Sequence, residues 1–203
     1  MIDFTTVING ETLEYIDDLH LYLVDGEIVP SITDILKVRF GKKYKDVDPE
    51  ILRRAAQAGT SVHEAIQAYI ETGKDSALPE VRNFKFLQKA YGFNVLQCEV
   101  PVILHLDDFI AAGRLDLVLE FENKVKNKVG GADIKRTSTL DKDYLFYQLN
   151  LYRIAYRQSY GVEWEFLKAV HLRNEVRKLV DIPINEQEAI NLCHLYRQSE
   201  KNA

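Results

Sequence analysis

Apolar side chains recur along this chain in two rhythms, and each change of rhythm marks an element. Across Pro49–Thr72, Ala55, Ala58, Val62, Ile66 and Tyr69 return at helical spacing until Gly73 ends the run. Pro79 to Tyr91 repeats that pattern and stops at Gly92. The shorter period of strands follows in Val95–Leu104 and Phe109–Phe121, with a third strand, Gly131–Arg136, after the lysine-rich turn Asn123–Gly130. Asp141–Tyr160 is a long helix with Asp141 near its cap, Glu163–Leu172 and Val176–Ile182 read as a hairpin around Asn174, and Asn185–Ser199 is a last amphipathic helix.

The opening has its own punctuation. His20–Val24 and Glu27–Val29 flank Asp25 and Gly26, a pair that tolerates the positive φ of a tight hairpin. Ser31 is placed to cap a short helix, Ile32 to Val38. Lys37 to Lys45, with five basic residues and no acid, is predicted to be a loop. No Pro/Gly/Ser linker divides the chain, so residues 1–203 are expected to form one α/β domain with a central mixed β-sheet flanked by helices. Within it, 1–48 supply a hairpin, short helix and basic loop, and 49–203 the core.

Composition narrows the chemistry. With 46% apolar and 28% charged residues the chain can bury a core and stay soluble, and a net charge of −5 excludes a coat that holds nucleic acid by bulk positive charge. Two cysteines, Cys98 and Cys193, exclude a disulfide scaffold and any four-thiolate zinc or iron–sulfur site. The sequence shows no basic, apolar leader and no run of ~20 apolar residues, so a cytoplasmic, membrane-free protein is expected. No glycine-rich stretch matches a phosphate-cradling G-x-x-x-x-G-K loop, and no serine has the setting of a nucleophile.

Chemistry concentrates in two strands. In the first, Leu115, Leu117 and Leu119 should point one way and Arg114, Asp116 and Glu120 the other, because strand side chains alternate. In the second, Asp133 and Lys135 share a face and Ile134 points to the core. If the strands pair through the Asn123–Gly130 turn, Asp116, Asp133 and Lys135 converge. Two carboxylates suit a hard divalent cation, and a lysine beside it can orient water or stabilise charge on a phosphate. A solvated strand face with an ordinary ion pair explains the same tripeptide, so other positions must decide.

His63 falls at the border of the apolar arc of its helix, one turn beyond Gly59, where a missing side chain leaves room. It reads either as a metal ligand or as a half-buried histidine bonded to a backbone carbonyl. Gln148 sits in the middle of the apolar arc Leu145, Leu151, Ala155, Tyr144 and Tyr156, with Tyr152 one turn on. A buried amide needs partners: carboxylates, a metal-bound water, a phosphate or a sheet backbone group. Glu99 alternates away from Cys98 and Val100, either as a further carboxylate of the patch or as a solvated glutamate. His20, His105, His171 and His194 read as structural or surface residues.

In order, Gly59 to Glu64, Gly113 to Asp116, Asp133 to Lys135, and Gln148 with Tyr152 resemble the motifs of the PD-(D/E)XK nuclease superfamily, in its RecB-like, phage-type exonuclease branch. The opening from His20 to Leu36 is similar to the segment that begins phage and mitochondrial genome-maintenance exonucleases. The resemblance implies a restriction-endonuclease-like core and a Mg²⁺- or Mn²⁺-dependent deoxyribonuclease, an exonuclease acting at DNA ends or on single strands in recombination, repair or replication. It implies metal ligation by His63, Asp116, Asp133 and the backbone carbonyl of Ile134, with Glu99 a further candidate. Lys135 would be the catalytic lysine, and Gln148 and Tyr152 would support the site and touch DNA. Ser31 and Thr33 match a segment that meets the nucleic-acid backbone.

Relatives with an iron–sulfur cluster carry four cysteines for it, and two here imply none. Arg114, Arg136, Lys42 and Lys43 are candidates to frame the acidic centre for DNA phosphates. A helicase or single-strand annealing protein would be a separate partner, and an oligomer is compatible with the sequence. Two other readings stay open: a nuclease-fold module that binds or assembles on DNA ends without cutting, and a nuclease directed at RNA.

Overall fold

The computed structural model describes residues 3–43, 45–107 and 109–201. Its elements run β1 (Phe4–Ile8), β2 (Glu11–Ile16), β3 (Leu21–Val24), β4 (Glu27–Val29), α1 (Ile32–Phe40), α2 (Pro49–Thr72), α3 (Pro79–Tyr91), β5 (Phe93–Leu106), β6 (Phe109–Phe121), β7 (Lys128–Lys135), α4 (Lys142–Tyr160), β8 (Phe166–Arg173), β9 (Val176–Ile182) and α5 (Glu186–Lys201). The class is α/β. A five-stranded sheet in the order β5-β6-β7-β8-β9 is antiparallel except for the β7–β8 pair, and α4 makes the crossover that a parallel pair requires. The first four strands form a separate antiparallel sheet in chain order.

Local signals explain most boundaries. Asp25 and Gly26 both take positive φ between β3 and β4, and Asn9 and Gly10 do the same between β1 and β2. The β1–β2 hairpin is an addition to the sequence reading, although Asn9-Gly10 is the same kind of signal as Asp25-Gly26. Ser31 caps α1 through a full capping box with Asp34. Asp48 caps α2 with Pro49 in its first turn, Asp141 caps α4, and Gly73, Gly92 and Gly161 close α2, α3 and α4 in the left-handed conformation.

Three expectations need correction. The predicted basic loop is helical at its start: α1 runs on to Phe40 because Lys37 pairs with Asp34 at 2.6 Å and Arg39 lies 5.0 Å over the Tyr147 ring. Tyr44 in that stretch lies outside the described residues. Ala55, placed in the buried arc of α2, is exposed, because the first turns of α2 overhang the sheet and only Val62 and Ile66 are deeply buried. The third strand begins at Lys128, within the expected turn.

Three apolar clusters hold the molecule. One packs α1, α4 and α5 on one face of the large sheet, the second packs α2 and α3 on the other, and the third joins the small sheet to Ile103 and Ala112 of β5 and β6. The strand β7 sits at the middle of this sandwich and can carry no bulk at two positions. A Cβ on Gly130 would run into the Phe166 carbonyl and ring, and one on Gly131 into the Trp164 ring, which is 1% exposed. No helix among the described residues is long and apolar enough to cross a membrane.

Gly131→Ala is therefore expected to lower the unfolding free energy by about 1–3 kcal/mol, read from urea denaturation. The α1 cap gives a pH prediction. Burial pushes the Asp34 carboxyl up, but hydrogen bonds from Lys37 and Ser31 outweigh it and hold it below the usual carboxylate range. Its contribution is present in full above the unfolded value of about 3.9 and is lost as pH falls through the lower native one. Asp34→Asn should flatten that acid limb of the stability curve.

Candidate metal centre

The centre forms where two strands part. The β6–β7 ladder ends at Leu117 and Ala132, while β7 continues beside β8 as far as Lys135 and His171. Ile134 therefore has no β6 backbone partner, and side chains take its polar groups. Its N–H donates to Asp116 Oδ2 at 2.6 Å. Its carbonyl accepts from His63 Nε2 at 3.2 Å, which leaves Nδ1 turned inward.

A kink helps to gather the acids. Glu99 of β5 and Asp116 of β6 face each other as an unpaired position between Cys98–Leu117 and Val100–Leu115. Glu99 has φ 50°, a left-handed conformation that is strained for a side chain of its kind. Across the kink the strand faces exchange: Leu115 packs against the α4 side, whereas Leu117 and Leu119 pack against the α2–α3 side. The uniform alternation expected from sequence is thus broken at Asp116, because an unpaired residue in a twisted ladder releases the register of the pleat.

His63, Glu99 and Asp116 offer ligand atoms that all lie within 4.8 Å of one another. His63 Nδ1 is 3.6 Å from Glu99 Oε1 and 3.6 Å from Asp116 Oδ1. Burial pulls the imidazolium down, but Asp116, Glu99 and Asp133 together outweigh it and push its pKa up to about 9. The group is built to hold positive charge, and two carboxylates with one imidazole are a donor set that a divalent cation can use. An imidazole that binds through Nδ1 while donating from Nε2 to a carbonyl is the usual support for such a ligand.

Asp133 is not part of that three-residue group. It is 3% exposed, and its Oδ2 lies 2.5 Å from Lys135 Nζ. Burial pushes the Asp133 carboxyl up against the pull of the lysine. For Lys135, burial works against the ammonium, and Asp133 and Asp116 outweigh it to hold the group above the ordinary lysine range. Asp133, expected as a ligand, holds Lys135, and Glu99 stands with His63 and Asp116 in the three-residue group. The Ile134 carbonyl, expected as a ligand, accepts a hydrogen bond from His63 and keeps a second lone pair.

Gln148 is 6% exposed, as its place in the apolar arc requires, and its Oε1 is buried with no hydrogen-bond partner among the described residues. An orphaned acceptor of this kind costs about 1–3 kcal/mol unless something else occupies it. Tyr152 lies under the site with its hydroxyl donating to the Arg114 carbonyl at 3.1 Å, and a Cβ on Gly113 would come within 2.9 Å of its ring. At 5% exposure it packs beneath β6.

Other expected DNA contacts are also engaged. Ser31 caps α1 and bonds Thr33 Oγ1 at 2.9 Å, so both hydroxyls serve the helix start. Arg114 pairs with Glu99 at 2.8 Å. Arg136 donates to Glu80 at 2.8 Å, and Glu80 is 2% exposed, so this arginine answers a buried charge that the sequence reading missed. Only the position of Glu80 at the start of α3 hinted at it, and that position equally suits an exposed acid. Lys43 pairs with the α4 cap Asp141, while Lys42 is exposed. His20, His105 and His171 are bonded to Tyr15, Glu11 and the Thr137 carbonyl.

Two open clefts meet at Gly59 and His63, one of about 950 Å³ running past Lys135 and the 137–143 segment, the other of about 590 Å³ running past Glu99 and Arg114. Gly59 leaves open space there, as the sequence suggested.

No family model matches this chain, and no curated protein does. Among solved structures it is similar to one described as "Crystal structure of SSO0001", with 15% identity and a TM-score of 0.44 over 82% of this chain and 73% of that one. A likeness at that level carries no argument about activity.

The buried pair makes its own prediction. Lys135→Met should destabilise the protein by about 3 kcal/mol, at the low end for a broken buried pair because the lysine side chain is 25% exposed. Adding Asp133→Asn should restore most of that loss in a double-mutant cycle by urea denaturation.

Proposed function

We propose that the protein is a divalent-metal-dependent deoxyribonuclease with a restriction-endonuclease-like core, an exonuclease that hydrolyses phosphodiester bonds at DNA ends or in single strands. One observation carries the reading: the His63, Glu99 and Asp116 group lies beside a charged Lys135, and the buried Oε1 of Gln148 is left without a hydrogen-bond partner among the described residues. The orphaned acceptor and the charge-seeking carboxylates fit Mg²⁺ or Mn²⁺ with its water. The resemblance of the motifs in sequence adds to this reading, and with it goes action in the cytoplasm.

His63 through Nδ1, Glu99 and Asp116 would hold the ion. When bound, the ion would supply Lewis-acid polarisation of the scissile phosphate and a more acidic water. Lys135 stays protonated against Asp133, so it acts as a donor and not as a base: it orients the attacking water and stabilises charge that builds on the phosphate oxygens. Gln148, which the sequence resemblance implies supports the site, would offer its unpartnered Oε1 as an acceptor to that water. Arg114 holds Glu99 in place, and Tyr152 props the Gly113–Arg114 backbone that carries Asp116. Water adds at phosphorus and releases a proton to solvent, the bond from phosphorus to the leaving oxygen breaks, and that oxygen takes a proton from solvent.

The test is digestion of matched linear and circular DNA with Mg²⁺ or Mn²⁺. Linear DNA is expected to be consumed and closed circles spared, with activity abolished by EDTA. Asp116→Ala and Lys135→Ala should each lose at least about 100-fold in rate. Full activity in both variants would defeat the assignment.

A further inference from the structure

The larger cleft has two unlike walls. One is a stripe of α2: Ile51, Ala55, Gly59 and His63 stand four residues apart and share a face, with Leu52 alongside. This stripe is apolar and bare until it reaches the imidazole. Ile51 is 61% exposed and Leu52 36%, on helix turns left uncovered by the other described elements. Exposed apolar side chains lined up toward a reactive centre are an unusual use of surface.

The opposite wall is polar and basic. Thr137, Ser138 and Thr139 after β7, Lys142 at the start of α4 and Arg173 at the end of β8 all border the same cleft. Of the two aspartates on that side, Asp141 is held by Lys43, and Asp143 is exposed. Beyond His63 the second cleft has the reverse character, with Asp3, Asp17, Glu64 and Glu99 against Arg114. Phosphates are attracted on the Ile51 side of the centre and repelled on the other.

We propose that the Ile51–Leu52 stripe is the track of single-stranded DNA, with unpaired bases laid on α2 and phosphates on the 137–139 hydroxyls, Lys142 and Arg173. An apolar strip facing cations complements a single strand, whose base faces are free, and not a duplex, whose base faces are stacked away. Ile51 to His63 is 12 residues of helix, about 18 Å at ~1.5 Å per residue, room for roughly five nucleotides at the ~3.4 Å stacking distance. The assignment rests on the nuclease reading for the bond that is cut, but the track itself is a matter of binding.

The experiment measures fluorescence anisotropy of fluorescein-labelled (dT)12 in EDTA, where no metal-dependent cleavage consumes the probe. The single strand should bind at least about tenfold tighter than a blunt 12-base-pair duplex, and the double substitution Ile51→Ser/Leu52→Ser should weaken it about tenfold. Ile28→Ser, at a residue 67% exposed on β4 and away from both clefts, should leave the affinity as it was. Leu52→Trp gives a second readout, quenching of the new indole by (dT)12 and not by the duplex. Equal or tighter duplex binding, an unaffected serine variant, an indole left unquenched in the Leu52→Trp variant or tighter binding of (U)12 would each overturn the track. Binding that depends on Ile51 and Leu52 without any metal-dependent cleavage would keep the track and sink the nuclease reading; undiminished metal-dependent cleavage of single-stranded DNA by the serine variant would do the reverse.

Discussion

A fork in the sheet governs this structure. Where β6 leaves β7, the N–H and carbonyl of Ile134 lose their ladder partners inside a packed sandwich, and buried backbone groups cannot stay unpaired. Asp116 and His63 take those two groups, and in doing so they are drawn within 3.6 Å of each other from different elements. The same two bonds that repair the backbone assemble the candidate centre. A fully regular ladder would have satisfied Ile134 with backbone and left Asp116 and His63 no reason to meet.

Charge then organises what the fork brings together. Glu99, Asp116 and Asp133 lie in poorly solvated positions, and among the described residues His63, Lys135 and Arg114 answer them. His63 and Lys135 are held charged by the acids despite burial, which is the condition of a site that lacks positive charge. A metal ion would relieve that shortage more compactly than a proton on His63 can, because it binds several carboxylate oxygens at once. Lys135, tethered to Asp133, is kept at the edge of the group and stays partly open to the cleft.

The scaffold around the centre is less tolerant than its surface suggests. β7 is flanked by Trp164 and Phe166 so closely that glycine is required at two successive residues, and Tyr152 packs on a third glycine, Gly113, in β6. Small residues at these points let α4 and the 164–166 segment press on the strands that carry Asp116, Asp133 and Lys135. By contrast the first turns of α2 leave the core and stand over the cleft, so the element that contributes His63 is packed at one end and exposed at the other.

Much of this was legible in the chain. Helical period, caps and closing glycines gave α2, α3 and α4 nearly to the residue, because those signals are local and the helices bury one face. Asp116, Asp133, Lys135, His63 and Gln148 were recognisable as chemistry because carboxylates, a lysine and an amide stood where apolar residues were expected. What sequence could not supply was the sharing of partners: that Glu99 joins the group while Asp133 serves Lys135, that Arg136 answers Glu80, that Tyr152 points beneath the strand. Those outcomes depend on one strand kink and one ladder ending, events set by contacts between residues 15 or more positions apart. Local pattern determines which groups a protein owns, and long-range packing decides which of them meet, since only the closed structure removes water and forces each polar atom to find a partner.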